Sequence, residues 1–189
     1  MAVPADFTIL DITGKFTMNK SLSGDTDTIL YLQGVSWIKR KAIQYGTITL
    51  FIKHYKDEDS VEHVDIDQTI TGGLAGTREE RILTWAERSH EDHLFGAVVG
   101  KSRRVQVSEL PVEEAFLTKD WTTDTVEHGV IQSYVNSDTP KSGTTWIANQ
   151  TWGMEKVNDE RRYCRHVKFT GPKGEDIESR LVYDYLGPL

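Results

Sequence analysis

Cysteine is almost absent from this chain: Cys164 is the single thiol in 189 residues. One cysteine excludes an internal disulfide and any cysteine-based zinc site, so packing must hold the fold, in a reducing compartment or one indifferent to redox. Long apolar runs are also missing. The most hydrophobic stretches, such as LFGAVVG from Leu94 to Gly100, fall far short of the roughly 20 residues that span a bilayer, so no membrane helix is expected. An excess of basic residues is lacking too. Lys plus Arg number 22 against 29 Asp plus Glu, giving 22 − 29 = −7, the wrong sign for a phosphate-backbone binder. Nucleic acid and anionic membranes are therefore not expected partners. The opening MAVPADFTILDITG has no basic segment leading into an apolar one, which reads as a cytoplasmic protein and makes the Asn149-Gln150-Thr151 sequon incidental. Neither an internal repeat nor a Pro- or Ser-rich linker divides the chain, so residues 1–189 are expected to form a single domain.

What is present is alternation. Most segments repeat with a period near two between short turn clusters, the pattern of a mainly antiparallel β protein. Strands are expected at about 7–18, 46–56, 61–71, 79–89, 93–105, 126–136, 143–156, 161–170 and 178–186. Turns fall at Asp57-Glu58-Asp59-Ser60, Gly72-Gly73, Ser137-Asp138-Thr139-Pro140, Asn158-Asp159 and Gly171-Pro172-Lys173-Gly174. After the first strand, Leu30, Val35, Ile38, Ala42 and Ile43 recur at helical spacing and predict a short helix or two. The stretch 107–123 reads as a long connection with a helical turn, able to cover one end of a barrel. So many strands in one open sheet would expose long edges, and closure removes them. The expected architecture is one antiparallel β-barrel of about nine or ten strands with a short helical lid after the first strand. Such a barrel encloses either packed side chains or one small ligand.

The strand faces bear on that choice. One face of 146–154 carries Trp146, Ala148, Gln150, Trp152 and Met154; one face of 161–169 carries Arg161, Tyr163, Arg165, Val167 and Phe169. Leu83, Trp85 and Glu87 share a face, as do Leu181, Tyr183 and Tyr185. A dry core would use Leu, Ile and Val, because an unsatisfied buried polar group costs about 1–3 kcal/mol. Rings interleaved with Gln and Arg are the composition of an apolar pocket with a few fixed polar groups. Arg88, Gln150 and Arg165 could equally point outward or pair at the barrel rims, since a bulge shifts a face by one residue.

Reaction signatures are few. There is no GxSxG elbow. Cys164 and His166 share a strand face, where a thiolate–imidazole pair is conceivable but a structural cysteine is the simpler reading. Ser89-His90-Glu91-Asp92-His93 holds two imidazoles and two carboxylates without HExxH spacing, and reads as a polar turn rather than a metal site. The glycine-rich 72–77 matches neither phosphate-loop nor dinucleotide spacing and reads as a hairpin or rim loop. No metal and no organic cofactor is expected. Catalysis, if present, would arise from shape and hydrogen bonding.

Thr13-Gly14-Lys15-Phe16, the stretch ILYLQGVSWIKRKAI from Ile29 to Ile43, and the terminal VYDY from Val182 resemble the intracellular fatty-acid-binding proteins, although Arg180 stands three residues before Tyr183 and does not reproduce their Arg-x-Tyr element. GKFTMNKSLSGDTD, YLQGVSWIKRKAI, LTWAERSHEDHLFG, WIANQTWGMEKVNDERRYCRHV and RLVYDYLG resemble more closely the fungal lipocalin-like (calycin) proteins of natural-product pathways, among them the tropolonic sesquiterpenoid hetero-Diels-Alderases. This resemblance implies a cofactor-free cyclase acting on a hydrophobic terpenoid or polyketide intermediate. Arg165, Tyr163 and Gln150 would then be the catalytic polar groups, and Trp37, Trp85, Trp146, Trp152, Met154, Tyr183 and Tyr185 would enclose the substrate. A passive carrier of a fatty acid, terpene or polyketide would use the same lining, and a side-chain-filled barrel with a surface role is a third reading. The expected partner is a small hydrophobic molecule, with homodimerisation left open.

Overall fold

The computed structural model describes residues 1–72 and 74–189; Gly73, half of the expected Gly72-Gly73 turn, lies outside the described residues. Among the described residues ten antiparallel strands form one sheet: β1 (Gly14–Met18), β2 (Ile48–Lys56), β3 (Glu62–Ile70), β4 (Thr77–Ile82), β5 (Arg88–Asp92), β6 (Gly96–Val105), β7 (Val130–Ser137), β8 (Ile147–Val157), β9 (Glu160–Thr170) and β10 (Asp176–Gly187). Their order is β4-β3-β2-β1-β10-β9-β8-β7-β6-β5, so the sheet curls into a nearly closed barrel whose two edges are β4 and β5.

The tenth strand arises where one long strand was expected at 79–89. The chain instead breaks after Ile82. Thr84 bridges Arg103 of β6, the Trp85 amide donates to the Ser102 carbonyl at 2.8 Å, and Trp85 takes the left-handed conformation (φ 61°). This crossing draws the end of β4 toward β6 and leaves β5 as a separate edge. The expected polar turn at 89–93 is consequently mostly strand, because Arg88–Asp92 pairs with Gly96–Gly100.

Two further departures are instructive. Of the first expected strand, 7–18, only Gly14–Met18 pairs in the sheet. The preceding residues turn under the barrel, with Phe7 donating to the Pro4 carbonyl, Thr13 to the Asp11 side chain, and Ile9 and Ile12 fully buried. A buried polar cluster anchors this floor. Arg104 bonds the Ile9 carbonyl at 3.1 Å and pairs with Glu62, which His54 also contacts at 2.7 Å, while the other His54 nitrogen accepts the Ile12 amide. Likewise, the strand expected at 126–136 starts only at Val130. Residues 126–128 belong to a helix ended by Gly129 (φ 79°), where a Cβ would sit 2.7 Å from the Val105 carbonyl oxygen.

Two short helices follow β1, as the spacing predicts: α1 (Asp27–Leu32) and α2 (Trp37–Tyr45), separated by Gly34 at φ 84°. Ile29, Leu30 and Ile43 point down into the barrel, whereas Ile38 is exposed and takes no part in the apolar face. The connection after β6 does not cap an end of the barrel. Its helices α3 (Ala115–Thr118) and α4 (Thr123–His128) lie against the outside of β8 and β9. Thr151 donates to the Leu117 carbonyl at 2.8 Å and the Met154 amide to Thr125 at 3.0 Å. Val105, Leu110, Trp121, Val130, Val157, Cys164 and Val182 make a second, outer core beneath this strap. The wall is thus buried on both faces, which explains why the outward residues Thr151 and Cys164 are as inaccessible as the inward Trp152 and Tyr163.

Candidate functional site

Antiparallel register decides which side chains share the lumen. Gln150 stands opposite Val167, Trp152 opposite Arg165 and Met154 opposite Tyr163; Arg165 and Tyr163 in turn stand opposite Leu181 and Tyr183. All of these point inward, together with Trp146, so the aromatic face of β8 and the Tyr163–Arg165 face of β9 meet. Under α1 and α2 they border a cavity of about 440 Å³, within the size range of small-molecule sites. Met18, Ile29, Leu30, Ile43, Ile48 and Ile70 form its apolar part, while Gln68, Glu79, Arg81, Gln150, Arg165 and Tyr183 bring polar groups to it.

Arg165 is the centre of the polar part. It is 5% exposed, its guanidinium lies 4.0 Å from the Trp152 ring centroid and 5.4 Å from that of Tyr183, and its Nε donates to the Tyr163 hydroxyl at 3.0 Å. Burial alone would favour losing the proton, but Tyr163, Tyr183 and Glu79 outweigh it and raise the pKa further. The group is a permanent cation. The Tyr163 hydroxyl is also pushed above its ordinary range, chiefly by burial, and stays neutral. Among the described residues, Nη2 of Arg165, Nε1 of Trp146 and Nε of Arg81 are buried donors without a protein partner. Unpaired buried donors are costly, and at a cavity wall they mark where an acceptor on a ligand would bind.

The expected site residues separate into four groups. Trp146, Gln150, Arg165 and Tyr183 border the cavity. Trp152, Met154 and Tyr163 form the packed layer behind it, where Trp152 Nε1 donates to the Gln150 side-chain oxygen at 3.0 Å. Tyr185 packs lower, on Phe7 and Phe16 of the floor. Trp37 and Trp85 do not join them. Trp37 is 63% exposed on the outer side of α2. Trp85 stacks beneath Arg103 at 4.3 Å and Lys101 at 4.9 Å. The break at 83–87 carries it out of the face it would have occupied in a continuous strand.

Glu79 and Arg81 escaped the sequence reading. Register places them inward, opposite Ile66 and Val64, and they pair at 3.0 Å beside the cavity. Burial raises the Glu79 carboxyl, but Arg81 and then Arg165 override it and draw its pKa down, so it is ionised. In sequence, TREERI resembles an exposed edge strand, and inward charges on an edge strand are themselves a known defence against edge pairing. Their parity with Leu83 and Trp85, a face expected to line the barrel, was the signal that could have found them.

Cys164 and His166 share a face as expected, but it is the outer one. His166 faces the Phe116 carbonyl at 2.9 Å and the Glu155 carboxylate at 3.0 Å, and stacks on Trp121 at 4.1 Å. Burial raises the Cys164 thiol well above its ordinary value. This pair fastens the strap to the wall and does not line the cavity. Among the described residues no three His, Cys, Asp or Glu side chains converge in a way that could hold a metal ion, and no helix is long and apolar enough to cross a membrane.

Comparison with known proteins fits this geometry. No family model matches the chain. It is 28% identical over 188 residues to the probable pericyclase scpY of Mollisia scopiformis, covering 99% of this chain and 96% of that protein. It is 26% identical over 190 residues to the pericyclase pydY of an Acremonium species, covering 100% and 98%. Among solved structures, a Schistosoma mansoni fatty-acid-binding protein in complex with arachidonic acid superposes with a TM-score of 0.57 at 12% identity, covering 93% of this chain and 96% of that one. Fatty-acid-binding protein 1 of Echinococcus granulosus gives 0.57 at 12%, covering 93% and 98%. Over its full length the chain is similar to fungal pericyclases, and its fold is the calycin-like barrel of the fatty-acid-binding proteins.

Proposed function

We propose that this protein is a cofactor-free cyclase of fungal secondary metabolism, promoting a Diels-Alder or hetero-Diels-Alder cycloaddition of a hydrophobic terpenoid or polyketide intermediate inside the barrel. The observation that carries the proposal is Arg165: a buried, permanently charged guanidinium, stacked on Trp152, with a free N–H at the wall of an apolar cavity. A cycloaddition converts π bonds into ring σ bonds without a leaving group or a redox equivalent. The protein therefore has two tasks, holding diene and dienophile in a reactive approach and stabilising charge that builds on a conjugated carbonyl.

Each side chain takes a part in that division. Arg165 donates to the carbonyl oxygen, whose negative charge grows as electron density moves into the acceptor component. The gain is catalytic because the bond strengthens toward the transition state. Tyr163 positions Arg165 through its Nε, and Gln150, already accepting from Trp152, has an amide N–H available toward the lumen. Trp146, Trp152, Met154 and Tyr183 set the shape that selects one folded conformation of the polyene. The full-length similarity to named pericyclases supports the same reading. A small hydrophobic molecule as partner and a cytoplasmic location belong to this proposal.

The second reading, a carrier, is favoured by the fatty-acid-binding fold alone. The two separate in one experiment. A synthetic polyketide-like chain bearing a conjugated diene and an enone is incubated with the native or heat-denatured protein, and cycloadduct isomers are resolved by chiral chromatography. The cyclase accelerates ring closure and yields one stereoisomer. An unchanged rate and isomer ratio, with the linear chain retained in native mass spectrometry, would establish the carrier instead.

A further inference from the structure

The cavity has a second polar pole for which the cyclisation above has no use. Around the barrel, β3, β2, β1 and β10 separate β4 from β9 on one side, and β5, β6, β7 and β8 on the other. Glu79 on β4 and Arg165 on β9 therefore face each other from opposite walls. Arg81 occupies Oε2 of Glu79, while Oε1 accepts no hydrogen bond among the described residues. The opposite wall presents the reverse chemistry, with the free donor Arg165 Nη2. One side offers a carboxylate acceptor, with Arg81 paired beside it, and the other a cationic donor.

We infer that the cavity selects a ligand whose polar head carries a carbonyl on one edge and an N–H or O–H on the opposed edge, the carbonyl meeting Arg165 and the donor meeting Glu79. A secondary amide has this arrangement. A fatty carboxylate does not, because its second oxygen would bring negative charge against Glu79. A pure hydrocarbon leaves both poles unpaired, and a simple ketone satisfies only one. The inference deepens the proposed function by naming the substrate head group, and it rests on that reading only in treating this cavity as the ligand site. Glu79 acts here as a specificity-determining residue that keeps its charge, not as a base, since the proton stays on the ligand.

The test is calorimetric titration of the intact protein with N-decylacetamide, its N-methylated tertiary counterpart N-decyl-N-methylacetamide, and decanoic acid. The secondary amide should bind at least about tenfold more tightly than either comparator, the advantage of a hydrogen bond to a charged group. In Glu79→Ala the preference over the tertiary amide should vanish while the tertiary amide binds as before. In Glu79→Gln, which keeps a carbonyl acceptor, part of it should return. Equal binding of the two amides by the unaltered protein, or a preference that survives Glu79→Ala, overturns the inference. The measurement is independent of turnover: selectivity without accelerated cyclisation would sink the cyclase reading and leave this one standing, and acceleration without selectivity would do the reverse.

Discussion

Replacing Arg165 by methionine should separate function from stability. The substitution removes the charge-assisted bond from Nε to Tyr163, worth about 1.5–3 kcal/mol, and the stack on Trp152, worth up to about 2 kcal/mol when desolvated. Against this stands the desolvation of a guanidinium that is 5% exposed, hydrogen-bonded through Nε alone and left with Nη2 unpartnered, a penalty of several kcal/mol. Methionine fills similar space without that penalty. The terms nearly cancel, so stability should change by less than about 2 kcal/mol, and the melting temperature by about 2–4 °C per kcal/mol at this chain length. Turnover should respond very differently. Loss of one donor to a developing oxyanion costs about 10²–10³ in rate. Cycloadduct formation followed by chromatography, with thermal unfolding followed by circular dichroism on the same preparation, reads both quantities. A variant that cyclises at the original rate would refute the role given to Arg165. One that melts tens of degrees lower would show the guanidinium to be a structural element instead.

Other outcomes follow from the floor, the strap and the outer core. At Glu62 burial raises the carboxyl, but His54 and Arg104 more than reverse it and bring its pKa from 4.5 to about 2. Because the folded value is the lower one, this stabilisation is complete above about pH 5 and is lost as pH falls toward 2. Glu62→Gln should cost about 3 kcal/mol at neutral pH and flatten the melting temperature between pH 5 and pH 3; an unaltered slope there would remove Glu62 from the account. Gly153→Ala places a methyl 2.6 Å from Thr125 Cγ2 and 2.8 Å from the Trp121 ring, so it should destabilise by about 1–3 kcal/mol, and a melting curve matching the parent would mean the strap yields freely. The Cys164 thiol, fully buried with a raised pKa, should react with an aromatic disulfide reagent only as fast as the protein opens, whereas complete labelling of native protein within minutes would contradict the outer core. Trp37→Ala on the lid exterior should leave binding of N-decylacetamide unchanged by the same calorimetry.

Legibility in the sequence varied with the kind of constraint. Strand positions from Ile48 to Ile70 and from Ile147 to Gly187 follow from period-two alternation, because one face of each had to be apolar and the turns between them are chemically explicit. The lid followed from helical spacing. The pairing of Trp152 with Arg165 and of Met154 with Tyr163 was foreshadowed only as shared faces of two separate strands. Trp85 was misplaced because of the interruption at 83–87: a single left-handed residue and a crossing to β6 reverse which side chains point inward, and local pattern contains no information about that crossing. Glu79, in the regular ladder before the break, was missed because its segment is almost wholly charged.

Alternation, turn chemistry and the scarcity of cysteine thus determined by themselves that this chain forms an antiparallel barrel held by packing, because each depends on residues near one another in sequence. Which polar groups meet in the lumen was decided only by the tertiary structure. Glu79 and Arg165 are 86 residues apart (165 − 79 = 86), and only closure of the barrel sets them on facing walls. The same holds for the strap from 107 to 128. It reads as a connection in sequence, yet its docking on the outside of β8 and β9 is what buries Cys164 and His166 and leaves the chemistry to the inner face.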